Sequence, residues 1–197
     1  DKAKDIASGI QTQQGPPLSS KTTTNFPGIG STGYYPPDVN IAVGKTSGGK
    51  KYIVQSVNLQ LSIYNTDGTV AKGPVSLASS FWSGLGSTSV CANYNQSDPI
   101  VSYDQFADRW IITVMAYGNN GAAPYASCYA VSTSNNPLDT YYLYEFSSTY
   151  ITDYPKMGIW ASGGATGANS AILATFNYFT STGSWAGAGI CAYDRIT

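Results

Sequence analysis

A strand–turn–strand pattern recurs along this chain and limits the folds that are open to it. Its clearest copy lies in residues 98–116, where an alternating strand-like run precedes the polar turn Gln105–Asp108 and the β-branched and aromatic run Trp110–Met115. This composition is typical of half-buried strands, and a short turn between two such runs predicts a hairpin. Two further strand-like runs follow at residues 126–132 and 140–146. The pattern therefore predicts a four-stranded antiparallel sheet whose consecutive strands lie side by side.

The same pattern is present upstream and downstream. Strand-like runs cover residues 38–43, 51–57, 59–64 and 70–77 upstream, and residues 153–160, 171–178 and 188–193, one strand fewer, downstream. The aspartates that open the copies, Asp38, Asp98 and Asp153, are spaced about 60 and 55 residues apart, slightly more than the ~40–50-residue period of propeller blades. We therefore predict an all-β, β-propeller-like fold with about three four-stranded antiparallel blades, at residues 34–82, 97–149 and 153–197. The same pattern is compatible with part of a larger propeller.

The first 33 residues differ from this pattern. Residues 1–33 are rich in Gln, Thr, Ser, Gly and Pro and lack sustained periodicity, which predicts an extended polar arm or linker before a β-propeller-like domain at residues 34–197. Within the arm, the apolar segment Ile6–Ile10 is compatible either with a flexible leader or with an added strand on an exposed sheet edge.

Charge and hydropathy exclude several classes of protein. Only 11% of the residues are charged, the net charge is −1, and Glu145 is the single glutamate. A nucleic-acid partner is not expected, because there is no basic patch to neutralise phosphates. No apolar run approaches the ~18–20 residues that span a bilayer, so no membrane span is expected. The chain begins at Asp1 without a signal-like segment, which is consistent with a processed, secreted, extracellular protein.

Three cysteines fit none of the common metal-binding spacings. In a secreted protein two of them are expected to pair, and Cys91 with Cys128 is the predicted disulfide because both flank the central repeat. Buried free thiols are the alternative. Cys191 is predicted to occupy the place of Cys128 in the following repeat, where it is either buried and reduced or pairs with a partner outside this chain.

The chain contains no histidine, which excludes Ser-His-Asp and Cys-His catalysis and His-ligated zinc within it. A glycosidase needs two carboxylates, and the candidates are Asp98, Asp104, Asp108, Asp153 and Asp194. We favour structural roles for them, because Asp is common in turns and at strand ends. If the first strand of each blade is innermost, Asp38, Asp98 and Asp153 ring one end of the central axis, where they could bind calcium. The alternative is that each caps the turn before its strand.

Aromatic residues are abundant, with sixteen tyrosines and four tryptophans. Exposed aromatic rings with nearby amides suit sugar stacking and protein contacts. Long polar connections, which often carry function, are predicted at residues 83–96 and 161–170. The predicted ligand-binding residues near such loops are Trp82, Tyr94, Asn95 and Trp185, whereas Trp110 and Trp160 are predicted to lie in the core.

Several motifs support a family resemblance over residues 34–197. They are Asp38–Gly44, Val57–Asn65, Asp98–Trp110, Cys128–Ser132, Asp153–Trp160 and Ala192–Arg195. Together they resemble a group of secreted, largely uncharacterised microbial β-propeller proteins, and the turn Asn65–Gly68 is similar to the Asp-box turns of sialidase-type propellers. The resemblance implies a propeller fold and a location outside the cytoplasm, with no activity that can be carried over.

Three functions are compatible with these observations. The first is a secreted, non-enzymatic binding or structural module that presents loops to a glycan or a protein surface. The second is a secreted carbohydrate-active hydrolase or lyase. The third is a self-assembling extracellular subunit whose missing strand is donated by a second chain or by a copy of itself, since an unpaired sheet edge is normally covered.

Overall fold

A computed structural model of the chain describes residues 24–161 and 170–195, which form three separate antiparallel sheets. The first sheet contains β1 (Val39–Lys45), β2 (Lys51–Val57), β3 (Gln60–Asn65) and β4 (Val70–Ser76). The second contains β5 (Asn95–Asp104), β6 (Arg109–Tyr117), β7 (Tyr125–Ser132) and β8 (Tyr141–Ser148). The third contains β9 (Ile151–Trp160), β10 (Ala171–Phe179) and β11 (Trp185–Asp194). The predicted all-β character is confirmed, and the sheets do not close into a ring within the described residues.

The first strands of the three sheets share a backbone irregularity that defines equivalent positions. Asp98 and Tyr154 have left-handed φ values of 52° and 51°, and each forms a β-bulge with the proline that follows it. Asp38, directly before β1, has a φ of 37°. The equivalent residues are therefore Asp38, Asp98 and Tyr154. The third repeat is offset by one residue from the alignment that its opening aspartate, Asp153, suggested.

The larger core lies between the first and second sheets. Val54 and Ile63 of the first sheet pack in one cluster with Trp110 and Ile112 of the second, and all four are almost fully buried. The two sheets approach closely at Gly44, where a Cβ atom would lie 2.5 Å from the Tyr103 ring. Glycine is required there because any side chain would force the sheets apart.

A smaller core joins the second and third sheets. Ile111, Tyr129 and Ile172 are buried there, with Met157 and Ile159 packed against them. Successive side chains of a strand point to opposite faces of its sheet. The second sheet therefore contributes one set of side chains to each core, which explains why β6 is buried along nearly its whole length.

The predicted disulfide bond between Cys91 and Cys128 is confirmed. It joins the short helix α1 (Val90–Asn93) to β7. Cys191 is a half-buried free thiol on the third strand of the third sheet, as expected. The strand registers, however, make Gly189, two residues earlier, the counterpart of Cys128. A side chain at Gly189 would collide with the ring of Tyr178.

The described part of the arm packs on the first sheet without forming a helix or a strand. The Phe26 ring lies 5.6 Å from the Tyr64 ring, measured between centroids. The backbone N–H of Ile29 donates a hydrogen bond of 2.9 Å to Oε1 of Gln55. Residues 24–33 thus cover part of one face of this sheet. The segment Ile6–Ile10 lies outside the described residues.

The two tryptophans predicted for the core have different environments. Trp110 is fully buried, as expected, but Trp160 is 63% exposed, so its predicted core position is wrong. Met157 and Ile159 take the positions of β9 that face the second sheet. Strand alternation therefore turns Trp160 away from that sheet.

Candidate functional site

A cleft with a volume of about 600 Å³ lies between the second and third sheets. One wall is formed by β6, β7 and β8, and the other by β10, β11 and the residue that follows β11. This volume lies within the range of about 300–1,000 Å³ that is typical of small-molecule sites. The cleft is our candidate binding site.

Aromatic rings form most of the cleft wall. Tyr142, Tyr144 and Phe146 alternate along β8 and line the cleft, whereas Leu143, between them, packs against the first core. The Phe146 ring lies 4.4 Å from that of Tyr193, a residue of the opposite sheet. Tyr142 is 59% exposed, and the edge of Phe146 is also open to solvent. The cleft therefore presents open aromatic surface at its mouth and packed aromatic surface inside.

A buried ion pair crosses between the two sheets at the polar end of the cleft. The guanidinium of Arg195 donates to both carboxylate oxygens of Asp104, with 2.8 Å from Nη2 to Oδ1, and both side chains are almost completely buried. The Asp104 carboxylate also accepts the backbone N–H groups of Phe106 and Ala107, at 2.9 and 3.1 Å. Burial alone would raise the pKa of Asp104, but these hydrogen bonds outweigh it and hold the pKa below its usual value.

The hydroxyl of Tyr129 is the one buried polar group of the cleft that lacks a hydrogen-bond partner among the described residues. It lies near Thr113 and Tyr193 without meeting hydrogen-bond geometry with either. Burial, reinforced by neighbouring Tyr193, raises the pKa of Tyr129. Burial and then Cys191 raise the pKa of Tyr193 to about 12. Both phenols therefore remain protonated at neutral pH and are able to donate hydrogen bonds.

Two further charged residues border the cleft. Arg109 uses Nη1 to donate to the backbone carbonyls of Ala107 and Asp108, at 3.2 and 2.9 Å. Asp194 is exposed at the end of β11. Asp194 shares its register with Trp160, so strand alternation turns its side chain to the opposite face of the third sheet. The charged side chains inside the cleft are therefore those of Asp104, Arg195 and Arg109, and each of them is bonded to other protein groups.

The four ligand-binding residues predicted from the sequence do not line this cleft. Trp82 is fully buried, and its indole Nε1 donates to the Leu77 carbonyl at 3.0 Å, so it offers no surface to a ligand. Tyr94 is half-buried against the first core, and Asn95 is exposed at the start of β5. Trp185 is 66% exposed at the start of β11. The sequence prediction favoured loops, whereas the aromatic cleft lies between strand faces.

The three repeated aspartates lie within electrostatic range of one another. Burial and then repulsion from Asp98 raise the pKa of Asp38. Burial and then repulsion from Asp98 raise the pKa of Asp153, with a smaller contribution from Asp38. Asp98 also accepts the backbone N–H of Tyr154, at 2.9 Å, which links the first strands of the second and third sheets. The three carboxylates are therefore close enough to influence one another's ionisation.

No group of three or more His, Cys, Asp or Glu side chains within residues 24–161 and 170–195 is arranged to hold a metal ion. The three aspartates are thus near enough to repel one another without forming a ligand set. Calcium binding by Asp38, Asp98 and Asp153 stays a prediction. Asp38 accepts a hydrogen bond of 3.3 Å from the Asn58 side chain, 20 residues away in the sequence.

Replacing Asp38 with Asn should raise the thermal midpoint slightly at pH 7, by the equivalent of at most about 1 kcal/mol. Asn keeps the left-handed backbone but removes the repulsion from Asp98. A raised folded pKa contributes stability that is present below the unfolded pKa of about 4 and is lost as pH rises through the folded value. The difference in thermal midpoint between the variant and the wild type should therefore shrink as the pH of the melts falls from 7 to 4. Asp108→Asn, also at a left-handed position, is the control for replacing Asp by Asn in this backbone conformation.

Calcium binding is tested by the same melts at constant ionic strength. If the aspartates bind calcium, millimolar CaCl₂ should raise the thermal midpoint of the wild type more than NaCl does, because a ligand of the folded state stabilises it. Asp98→Asn should abolish that difference. Equal effects of the two salts would mean that the ions only screen the repulsion, and the calcium prediction would be wrong.

Comparisons with protein-family models, curated proteins and solved structures find no match for this chain. No helix among the described residues has the length and apolar character that a bilayer crossing requires.

Proposed function

We propose that this protein is a secreted, non-enzymatic glycan-binding module and that the cleft between its second and third sheets is the binding site. The cleft combines exposed aromatic rings with hydroxyl groups, and its charged side chains are already bonded to other protein groups. Aromatic faces pack against the apolar faces of sugar rings, and nearby polar groups can bond their hydroxyls. A protein surface is the other class of partner that such an aromatic site suits.

The observation that carries this proposal is the row of aromatic rings along one wall of the cleft. Tyr142, Tyr144 and Phe146 alternate along β8, and Tyr142 is 59% exposed. A sugar ring can stack on an exposed aromatic ring while its hydroxyls bond to nearby polar groups. The hydroxyl of Tyr129 is closed to solvent, so it does not contribute to this surface.

The geometry favours binding over hydrolysis. A glycosidase needs one carboxyl group as an acid and a second as a base or nucleophile. The acidic residues at the cleft are Asp104 and Asp194, and the Asp194 side chain turns to the opposite face of the third sheet. Asp104 is bonded to Arg195 and to two backbone amides, and its pKa is lowered. A carboxylate held in this way is a poor proton donor at neutral pH.

The propeller arrangement and the extracellular location belong to the same proposal. The first strands β1, β5 and β9 are neighbours between successive sheets, as the inner strands of propeller blades are. The disulfide bond is typical of proteins in oxidising compartments. Both features agree with the resemblance to secreted microbial propellers.

The variant Tyr129→Phe, which removes one oxygen atom, tests the energetic cost of the buried hydroxyl. Stability should rise by about 1 kcal/mol, since an unpaired buried hydroxyl is lost. Urea unfolding measures the effect. A loss of stability would show that this hydroxyl bonds to Thr113 or Tyr193 in the folded protein.

A second pair of variants locates the site. Tyr142→Ala, at the mouth of the cleft, should weaken binding of a neutral oligosaccharide identified on a glycan array about tenfold, equivalent to about 1.4 kcal/mol in titration calorimetry. Trp185→Ala is the matched control, since this exposed ring lies outside the cleft and should not affect affinity. The reverse result would move the site to Trp185. Absence of binding to any glycan, with capture of a protein partner that Tyr142→Ala abolishes, would replace the glycan by a protein ligand.

A further inference from the structure

The three sheets stack with a constant direction, which gives each sheet a leading face towards the preceding sheet and a trailing face towards the next. In β5, Val101 and Tyr103 contact the first sheet, and their equivalents in β9, Met157 and Ile159, contact the second. The equivalent residues of β1 are Ile41 and Val43. These two side chains are 59% and 57% exposed. The leading face of the first sheet therefore carries an apolar row that no other sheet of the described residues covers.

The trailing face of the third sheet is exposed in the same way. Ala42 and Gly44 of β1 pack against the second sheet, and their equivalents in β9 are Gly158 and Trp160. Nothing lies within 4 Å of a Cβ built at Gly158. The register places Leu173 and Ile190 on this same face, and Ile190 is 80% exposed. A contiguous apolar face of this kind marks an interaction surface.

We propose that the trailing face of the third sheet binds the leading face of the first sheet of a second copy of this chain. A second copy is the expected partner because the same pair of faces already packs together inside the chain. In this protein a trailing face packs against a leading face twice, between the first and second sheets and between the second and third. Within residues 24–161 and 170–195 one face of each kind has no sheet packed on it, and each has apolar residues at the positions that make the internal contacts.

Residues 24–33, the described part of the arm, leave the relevant part of the first sheet open. Phe26 and Ile29 contact Tyr64 and Gln55, residues of β3 and β2. The apolar row of β1 lies beside them and stays exposed. β1 is also the strand equivalent to β5 and β9, the strands that meet between adjacent sheets. By analogy with the internal interfaces, we therefore expect a second copy to make contact at the exposed row of β1.

Charges at one end of the two faces are complementary. Lys45 and Lys51 are paired, exposed residues at one end of the first sheet. The phenol of Tyr103 donates to the Lys45 carbonyl at 3.0 Å. This end of β1 therefore lies beside the end of β5, the first strand of the second sheet. At the corresponding end of the third sheet lie Trp160 and Asp194, both paired with Ala171. The docked copy therefore brings two ammonium groups to a carboxylate and an indole ring.

Such a contact is heterologous, because the two chains use different surfaces. Heterologous contacts generate closed rings when the rotation closes and open chains when it does not. In either case the particle mass is a multiple of the 20.8 kDa chain.

The test uses two variants that block one face each. Ile41→Lys blocks the leading face, Ile190→Lys blocks the trailing face, and Ser181→Lys in the exposed β10–β11 turn is the matched control. Light scattering and native mass spectrometry at about 100 μM detect contacts with dissociation constants into the micromolar range. We expect multimers for the wild type and the control, and monomers for each blocked variant. Unchanged circular dichroism and melting of these surface variants separate lost contact from lost folding.

Mixing the two blocked variants identifies the head-to-tail geometry. Each variant retains the face that the other lacks, so an equimolar mixture should form mixed dimers although each variant alone is monomeric. A monomeric wild type at about 100 μM would overturn the proposal. So would multimers that survive either substitution, because the contact would then lie elsewhere or join two copies of one face.

Discussion

Replacing Arg195 with Met should lower the free energy of unfolding by about 3–5 kcal/mol, the cost of leaving a buried charge unpaired. Arg195 and Asp104 are almost completely buried, and the pair joins the end of the third sheet to the first hairpin of the second. Methionine keeps much of the side-chain volume, so the loss reports mainly the stranded carboxylate of Asp104. Urea unfolding at pH 7 measures the effect.

The double variant Arg195→Met with Asp104→Asn separates lost charge from lost packing. An Asn carbonyl can still accept the N–H groups of Phe106 and Ala107, while the uncompensated charge is gone. We expect the double variant to be more stable than Arg195→Met alone. If it is no more stable, packing of the arginine stem explains the loss. If Arg195→Met itself costs less than about 0.5 kcal/mol, the ion pair has no structural role.

The pH dependence provides an independent check on the same pair. The pKa of Asp104 is lowered in the folded protein, so its contribution to stability is present above the unfolded pKa of about 4 and is lost as pH falls through the folded value. The difference between the wild type and Arg195→Met should therefore narrow in acid. A difference that is constant with pH would show that Asp104 is not the group affected.

The arrangement of strands was predictable because it depends on local alternation. The run Trp110–Met115 lies inside β6, and the predicted strands at 51–57 and 171–178 match β2 and β10 within one residue. Each strand of these meanders pairs with the next strand in sequence. Neighbouring strands and turns therefore contain most of the information that sets the sheets.

Details that depend on bulges were less predictable. Aligning the opening aspartates made Asp153 the counterpart of Asp98, but the left-handed residue of the third repeat is Tyr154. Tyrosine rarely adopts a left-handed backbone conformation, so nothing in the sequence indicated that Tyr154 would do so. A single residue of offset turns every later side chain of a strand to the other face. The strand registers, and not the spacing of the aspartates, therefore show which face each side chain of β9 occupies.

The binding cleft was not predictable from the sequence, because its walls come from different sheets. Tyr142 and Phe146 were visible as part of a tyrosine-rich strand, yet nothing local indicated that Tyr193 would face them. Trp82 shows the opposite error. It lies near a polar connection in the sequence, but the Leu77 carbonyl bonds its indole N–H, which allows complete burial. Tertiary packing decides which aromatic residues are available to a ligand.

Reduction of the Cys91–Cys128 disulfide should lower the free energy of unfolding by about 4 kcal/mol. This value reflects the loss of entropy that the cross-link imposes on the unfolded chain. The two cysteines are 37 residues apart in sequence and join α1 to the third strand of the second sheet. The bond keeps the unfolded chain less extended, so reduction should also increase the dependence of unfolding on urea concentration. Denaturant melts of the oxidised and reduced protein measure both quantities.

The comparison is best made in a Cys191→Ala background, where the free thiol cannot exchange with the bond. Oxidised and reduced samples then share one sequence, so no cavity or change of side chain contributes to the difference. Cys191→Ala itself should cost less than about 1 kcal/mol, because the thiol is only half-buried at the margin of the third sheet. Equal stability of the oxidised and reduced forms would mean that the packing around α1 holds the chain without the cross-link. A loss of stability with an unchanged urea dependence would place the contribution of the bond in the folded state, since the entropy of the unfolded chain would then not be its source.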